Sequence, residues 1–183
     1  MVVGGSPSAP NVIDRRRIEI ADPRIRGSKQ PFHAAEPLAL KDAEKLIQRC
    51  AESTHSLAVS AVRAVLSAVR AQGCEVVGCG LLTGSGRPLP GLPAILASHP
   101  LIHTAEGEFF REALAQASER CTLPIMRVRE RELEGRASAA LRLPADKLNA
   151  RIAGLGKTIG PPWAQDQKLA ALAAWLALAG TSK

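Results

Sequence analysis

The chain holds three Phe, two Trp and no Tyr among 183 residues. Aromatic side chains normally carry much of a core's buried area, so a core here has to be built from Leu, Ala, Val and Ile. Apolar residues still make up 46% of the chain and charged residues 22%, a balance that excludes wholesale disorder and collagen-like structure. A chain of this length buries about two-thirds of its unfolded surface when it folds as one domain. Residues 1–10, rich in Gly, Ser, Pro and Ala, are expected to form a flexible N-terminal tail ahead of a single domain over 11–183.

Lys and Arg number 24 against 17 Asp and Glu, a formal net charge of +7. A basic surface concentrates polyanions, which makes nucleic acid one candidate partner; the plain alternative is solubility. Scarce aromatics count against a single-strand reader based on base stacking. The four cysteines, Cys50, Cys74, Cys79 and Cys121, form no CxxC pair and read as reduced core thiols. No basic start followed by an apolar stretch marks a secretory signal. The longest apolar run, 169–179, is shorter than the roughly 20 residues a bilayer span needs. The expectation is a soluble, cytoplasmic protein with no membrane association.

Along the chain, residues 11–22 have the irregular alternation of a strand, and 24–36 a second strand broken at Gly27 and Pro31. Leu40, Ala43, Leu46, Ile47 and Cys50, continued by Leu57, Ala61, Val62, Val65, Leu66 and Val69, recur at helical spacing, with Gly73 as the stop. Residues 74–82 read as a buried strand, 83–93 as a Gly/Pro loop, and 92–104 as a short apolar segment interrupted by Pro100. A helix is predicted over 105–121, a strand over 123–130, helical stretches near 129–140 and 145–154, and a closing helix over 164–179 with Leu169, Leu172, Ala173 and Leu176 inward. That order predicts an α/β layered domain.

Two phosphate-binding motifs fail. Gly156-Lys157-Thr158 lacks the earlier Gly, because position 151 is Arg, and Pro161-Pro162 follows where a helix should start. Gly84-Ser85-Gly86 lacks the third Gly of a dinucleotide loop and reads as a plain turn. Residues 98–112 are denser in chemistry than any other segment. His99 and His103 stand four apart beside Glu106 and Glu108, and on one helix face such a pair can hold a divalent metal. The plain alternative is that they hydrogen-bond a loop. Asp166 and Lys168 open the last helix, where Asp166 suits the helix dipole. If Asp166 and Glu106 converge at the end of a sheet, the two carboxylates supply the hard oxygens that Mg²⁺ requires.

The element order resembles the ribonuclease H-like superfamily, the fold of Holliday-junction resolvases and related nucleases. Residues 74–82 resemble its fourth strand, 108–121 the helix after it, 123–130 the fifth strand, and 166–178 the closing helix that opens with a catalytic Asp. The resemblance implies a ribonuclease H-like layered mixed sheet flanked by helices. It implies metal-binding and catalytic roles for Glu106 and Asp166 with Mg²⁺, and Lys168 steadying a phosphate or the attacking water. The superfamily's first acidic ligand would fall on Asp14. Arg15, Arg16, Arg17 and Lys29 would then contact nucleic-acid phosphates.

Three readings follow. The first is a Mg²⁺-dependent phosphodiester hydrolase or nucleic-acid-binding protein of this fold. The second is a non-catalytic binding or assembly module whose basic strand and Ala/Leu helix make interfaces, the apolar residues of the last helix serving either the domain's own core or a homodimer seam. The third is a small-molecule hydrolase using His99 or His103 as general base beside Glu106, which expects an apolar pocket around the two imidazoles.

Overall fold

The structure, a computed structural model, describes residues 1–84 and 86–180. The turn expected at Gly84-Ser85-Gly86 falls on Ser85, which lies outside the described residues, as do residues 181–183. Among the described residues the fold is mixed α/β, with seven helices and two sheets of two strands each. The chain divides into two compact units. The first comprises Met1–Arg17, Leu66–Thr83 and Leu123–Lys183; the second comprises Ile18–Val65 and Gly84–Thr122.

In the first unit β1 (Val2–Ser6) pairs antiparallel with β2 (Ala9–Asp14), so most of the expected tail is a strand. Composition misled here because a Gly, Ser and Pro-rich stretch is also what a tight hairpin uses. Gly5 takes φ +84°, a left-handed conformation that glycine adopts without strain. The turn is fastened by the indole N–H of Trp175, which donates to the Pro7 carbonyl at 2.9 Å. β2 stops at Asp14, short of the strand expected through residue 22.

β3 (Cys79–Thr83) pairs parallel with β4 (Ile125–Arg129), in register from Cys79 opposite Ile125 to Thr83 opposite Arg129. Residues 74–78 do not extend β3, and Val77 is exposed. An apolar run alone does not make a strand; it needs a partner for its backbone groups. α5 (Glu130–Leu141), α6 (Ala145–Ile159) and α7 (Gln165–Gly180) complete the unit. α7 packs on α5, α6, β1 and β3. Its Ala171, Leu172, Ala173, Trp175 and Leu176 are buried with Val128, Leu133, Leu148 and Ile152 in one core. The residues considered for a dimer seam therefore serve the unit's own interior.

The second unit is helical: α1 (Pro31–Ala35), most of α2 (Leu40–Arg70), α3 (Leu92–Leu96) and α4 (His99–Arg120). The second strand expected over 24–36 is absent among the described residues. Successive turns, Ile25 N–H to Asp22, Ser28 N–H to Ile25 and Gln30 N–H to Gly27, lead instead into α1. Gly27 at φ +87° and Pro31 at the first helical turn account for that path. Ile18 and Ile20 pack with Ala58, Val59 and Ala117, while Phe32, Ile95, Ile102 and Ala105 form a second cluster.

Asp22, only 4% exposed, anchors the entry to this unit. Its carboxylate accepts from the Arg24 side chain, the Arg24 backbone N–H and the Ser53 hydroxyl. The Arg24 hydrogen bond first, then those from Ser53 and the Arg24 backbone, hold this carboxyl well below the ordinary range. A lowered folded-state pKa adds stability that is complete above about pH 4 and is lost as pH falls towards the folded value. Asp22→Asn removes that titration. Urea midpoints measured from about pH 7 down to pH 2 should fall more steeply in acid for the wild type than for the variant, and parallel curves would refute this.

No disulfide joins any of the four cysteines. Cys50 is buried, as expected, and burial pushes its pKa up; Cys74 is exposed rather than in a core. Among the described residues no helix is long and apolar enough to cross a membrane.

Candidate functional site

The start of α4 organises the chemistry of the second unit. Pro100 lies in the first turn, where its missing N–H leaves no intrahelical bond unmade, and the helix begins at His99. The i, i+4 relation therefore holds for His99 and His103 despite the proline. Their Nε2 atoms lie 3.1 Å apart, with ring centroids at 4.6 Å. Both rings are exposed.

A third imidazole, which sequence reading did not single out, joins them from α1. The ring of His33 stands 5.1 Å from that of His99 and 4.7 Å from that of His103, steeply inclined to both. One ring nitrogen of each of the three lies within 4.8 Å of the other two. Among the described residues this is the one group of three potential metal-ligating side chains within such reach. His33 is half-buried, and α1 packs against both α3 and α4. Its segment carries no helical period long enough to read, so only tertiary packing reveals it.

Glu106, one turn beyond His103, is buried at 8% exposure. Its Oε1 accepts the backbone N–H of His33 at 3.2 Å and lies 3.0 Å from His33 Nδ1. The Nδ1 contact is close enough for an ion pair but off the line of a hydrogen bond, so this buried nitrogen has no hydrogen-bond partner. Glu106 thus faces an imidazole, and it holds α1 to α4 through one carboxylate oxygen.

The other sequence-derived candidates fall elsewhere. Asp166 and Lys168 are exposed at the start of α7, and Asp14 closes β2 in an ion pair with Arg16. All three belong to the first unit, whereas Glu106 belongs to the second. The Arg15 guanidinium donates to the carbonyls of Gly160, Pro161 and Pro162 at 2.7–3.1 Å. That fork-shaped donor tethers the loop between α6 and α7 to the end of β2. Arg17 and Lys29 are exposed, in the first and second unit respectively.

A cavity of about 330 Å³ lies in the second unit, lined by Phe32, Ala51, His55, Ala105, Phe109 and Glu112 among others. Its lining includes Phe32 and Ala105, the chain neighbours of His33 and Glu106, but none of the three clustered imidazoles.

Compared with known proteins, the chain matches no family model, no curated protein and no solved structure.

Proposed function

We propose that the chain is a small-molecule hydrolase whose reaction centre is the imidazole–carboxylate cluster at the start of α4. The observation that carries this reading is the 3.1 Å approach of the His99 and His103 Nε2 atoms beside a third imidazole that faces Glu106. An unprotonated imidazole takes a proton from water, the hydroxide oxygen adds to the substrate's carbonyl or phosphoryl centre, and the proton passes to the departing oxygen. Two of the rings are open to solvent, so a substrate can reach them without a change in the core. The cavity bordered by Phe32 and Ala105 offers apolar surface along the same helix.

The test is hydrolysis of chromogenic carboxylate and phosphate esters by the purified chain. His103→Ala should lower the rate by about 100-fold or more, the usual contribution of a positioned acid–base group. His103 is exposed, so its loss leaves the fold intact, and an unchanged rate would refute the assignment.

A second reading keeps the ribonuclease H-like relation, with Mg²⁺ and structured nucleic acid. What supports it is the parallel pairing of β3 with β4 across a connection that contains α4, matching the fourth strand, helix and fifth strand of the resemblance, together with the net charge of +7. Carboxylate oxygens suit Mg²⁺, and Glu106 and Asp14 each already use an oxygen on a protein partner. The clustered donors are imidazoles, which are not the ligands that ion selects. Binding to duplex or branched DNA that weakens steeply with salt would favour this second reading.

A further inference from the structure

We infer that His33, His99 and His103 form a binding site for one divalent transition-metal ion of the Zn²⁺ class. The inference rests on the cluster's being the reaction centre and names the group that activates water there.

A single N–H···N hydrogen bond accounts for the His99–His103 pair. It gives no reason for a third ring, supplied by another helix, to bring a nitrogen within 4.8 Å of both. A shared ion does. Zinc–imidazole bonds of 2.0–2.1 Å in a tetrahedral site put ligand nitrogens about 3.3 Å apart. The observed 3.1 Å is close to that spacing, and the exposed rings can close the remaining gap by small side-chain rotations.

Glu106 supplies the second part of such a site. Metal-bound histidines characteristically direct their other ring nitrogen at a carboxylate, carbonyl or water, which sets the tautomer and the ring's orientation. His33 Nδ1 is buried, lacks a hydrogen-bond partner and lies 3.0 Å from the Glu106 carboxylate. With Nδ1 committed to Glu106, Nε2 of His33 is the nitrogen left to donate to the ion. A slight turn of the ring on metal binding would align the Nδ1–H with Oε1.

The ligand count points to chemistry rather than scaffolding. Structural zinc sites are closed by four protein ligands, whereas three imidazoles leave a position for water. Water bound there ionises near pH 7, compared with about 15.7 in bulk. With an ion bound the three imidazoles would be ligands, so the ion takes the place of a free imidazole base: the water would lose one proton to solvent, its oxygen would add to the substrate's carbonyl or phosphoryl centre, and the departing ester oxygen would take a proton from solvent as its bond breaks. Imidazole nitrogen also selects Zn²⁺, Co²⁺, Ni²⁺ or Cu²⁺ over Mg²⁺.

The experiment uses the full chain without a polyhistidine tag, stripped with chelator and titrated with Co²⁺, then with Zn²⁺ in competition. The expected result is one visible absorption band that saturates at one Co²⁺ per chain and disappears on adding Zn²⁺. The His99→Ala/His103→Ala double variant should lose the band while keeping its circular dichroism. Glu106→Gln should weaken uptake by about 10–100-fold, as removing an outer-shell carboxylate does. No band at stoichiometric Co²⁺, or a band unchanged in the double variant, overturns the site. Ester hydrolysis separates the two ideas. Hydrolysis that survives chelation without metal uptake keeps the reaction centre and overturns the ion. Uptake at the three histidines without hydrolysis supports the ion and removes the hydrolase reading.

Discussion

Trp175→Ala should lower the unfolding free energy by about 3–5 kcal/mol, the range for deleting a large buried aromatic side chain. Trp175 is fully buried in α7 and is the largest side chain in the interior of the first unit. Two effects add. The indole fills space that the surrounding Leu, Ile and Ala residues cannot close, and its N–H satisfies the Pro7 carbonyl in the β1–β2 turn. Trp175→Phe separates them, because the ring is largely kept while the donor is lost. It should fall between wild type and Trp175→Ala. Against a typical total of about 5–15 kcal/mol, the alanine variant approaches the limit of stability. Urea midpoints followed by circular dichroism provide the check, and a shift below 1 kcal/mol would mean that Trp175 is not the keystone of this core.

Gly80→Val is the second large effect. Gly80 is the second residue of β3, and a Cβ added there would meet the Ala173 backbone, with the carbonyl carbon 2.7 Å away and the Ala173 Cβ at 3.3 Å. The obstacle is main chain rather than the end of a flexible side chain, so α7 has to move off β3. Overpacking of this kind costs about 1–3 kcal/mol, and the branched Val adds bulk beyond the Cβ. Gly154→Ala, in α6 with nothing within 4 Å of the added carbon, is the matched control. It should hold or raise stability by up to about 1 kcal/mol through helix propensity. Equal midpoints for the two variants would show that the close approach of α7 to β3 is not what Gly80 provides.

Much of the candidate site could be read along the chain, but not its decisive member. The spacing of His99 and His103, with Glu106 three residues on, was visible because one helix puts all of them on neighbouring turns. His33 was not, since it sits in a five-residue helix inside a segment that alternates too weakly to announce itself. The proposed pairing of Glu106 with Asp166 drew on element order alone. Within its own unit Glu106 faces His33, and Asp166 belongs to the other unit.

The fold divides in the same way. The closing helix was predicted from its apolar density, yet Trp175 was missed as its central core residue because the period was read from Leu and Ala. The hairpin at residues 2–14 was missed because turn-forming composition is shared by loose tails and tight turns. Local sequence determined the course of the longer helices, since each 3.6-residue period lies within a few neighbours, though not α1 or the first turns of α4, and it determined the basic charge and the shortage of aromatics. Tertiary structure alone decided which strands pair, which imidazoles meet, and which carboxylate faces which ring. Those outcomes depend on backbone groups and side chains far apart in the chain finding partners that satisfy them, and no local pattern encodes that choice.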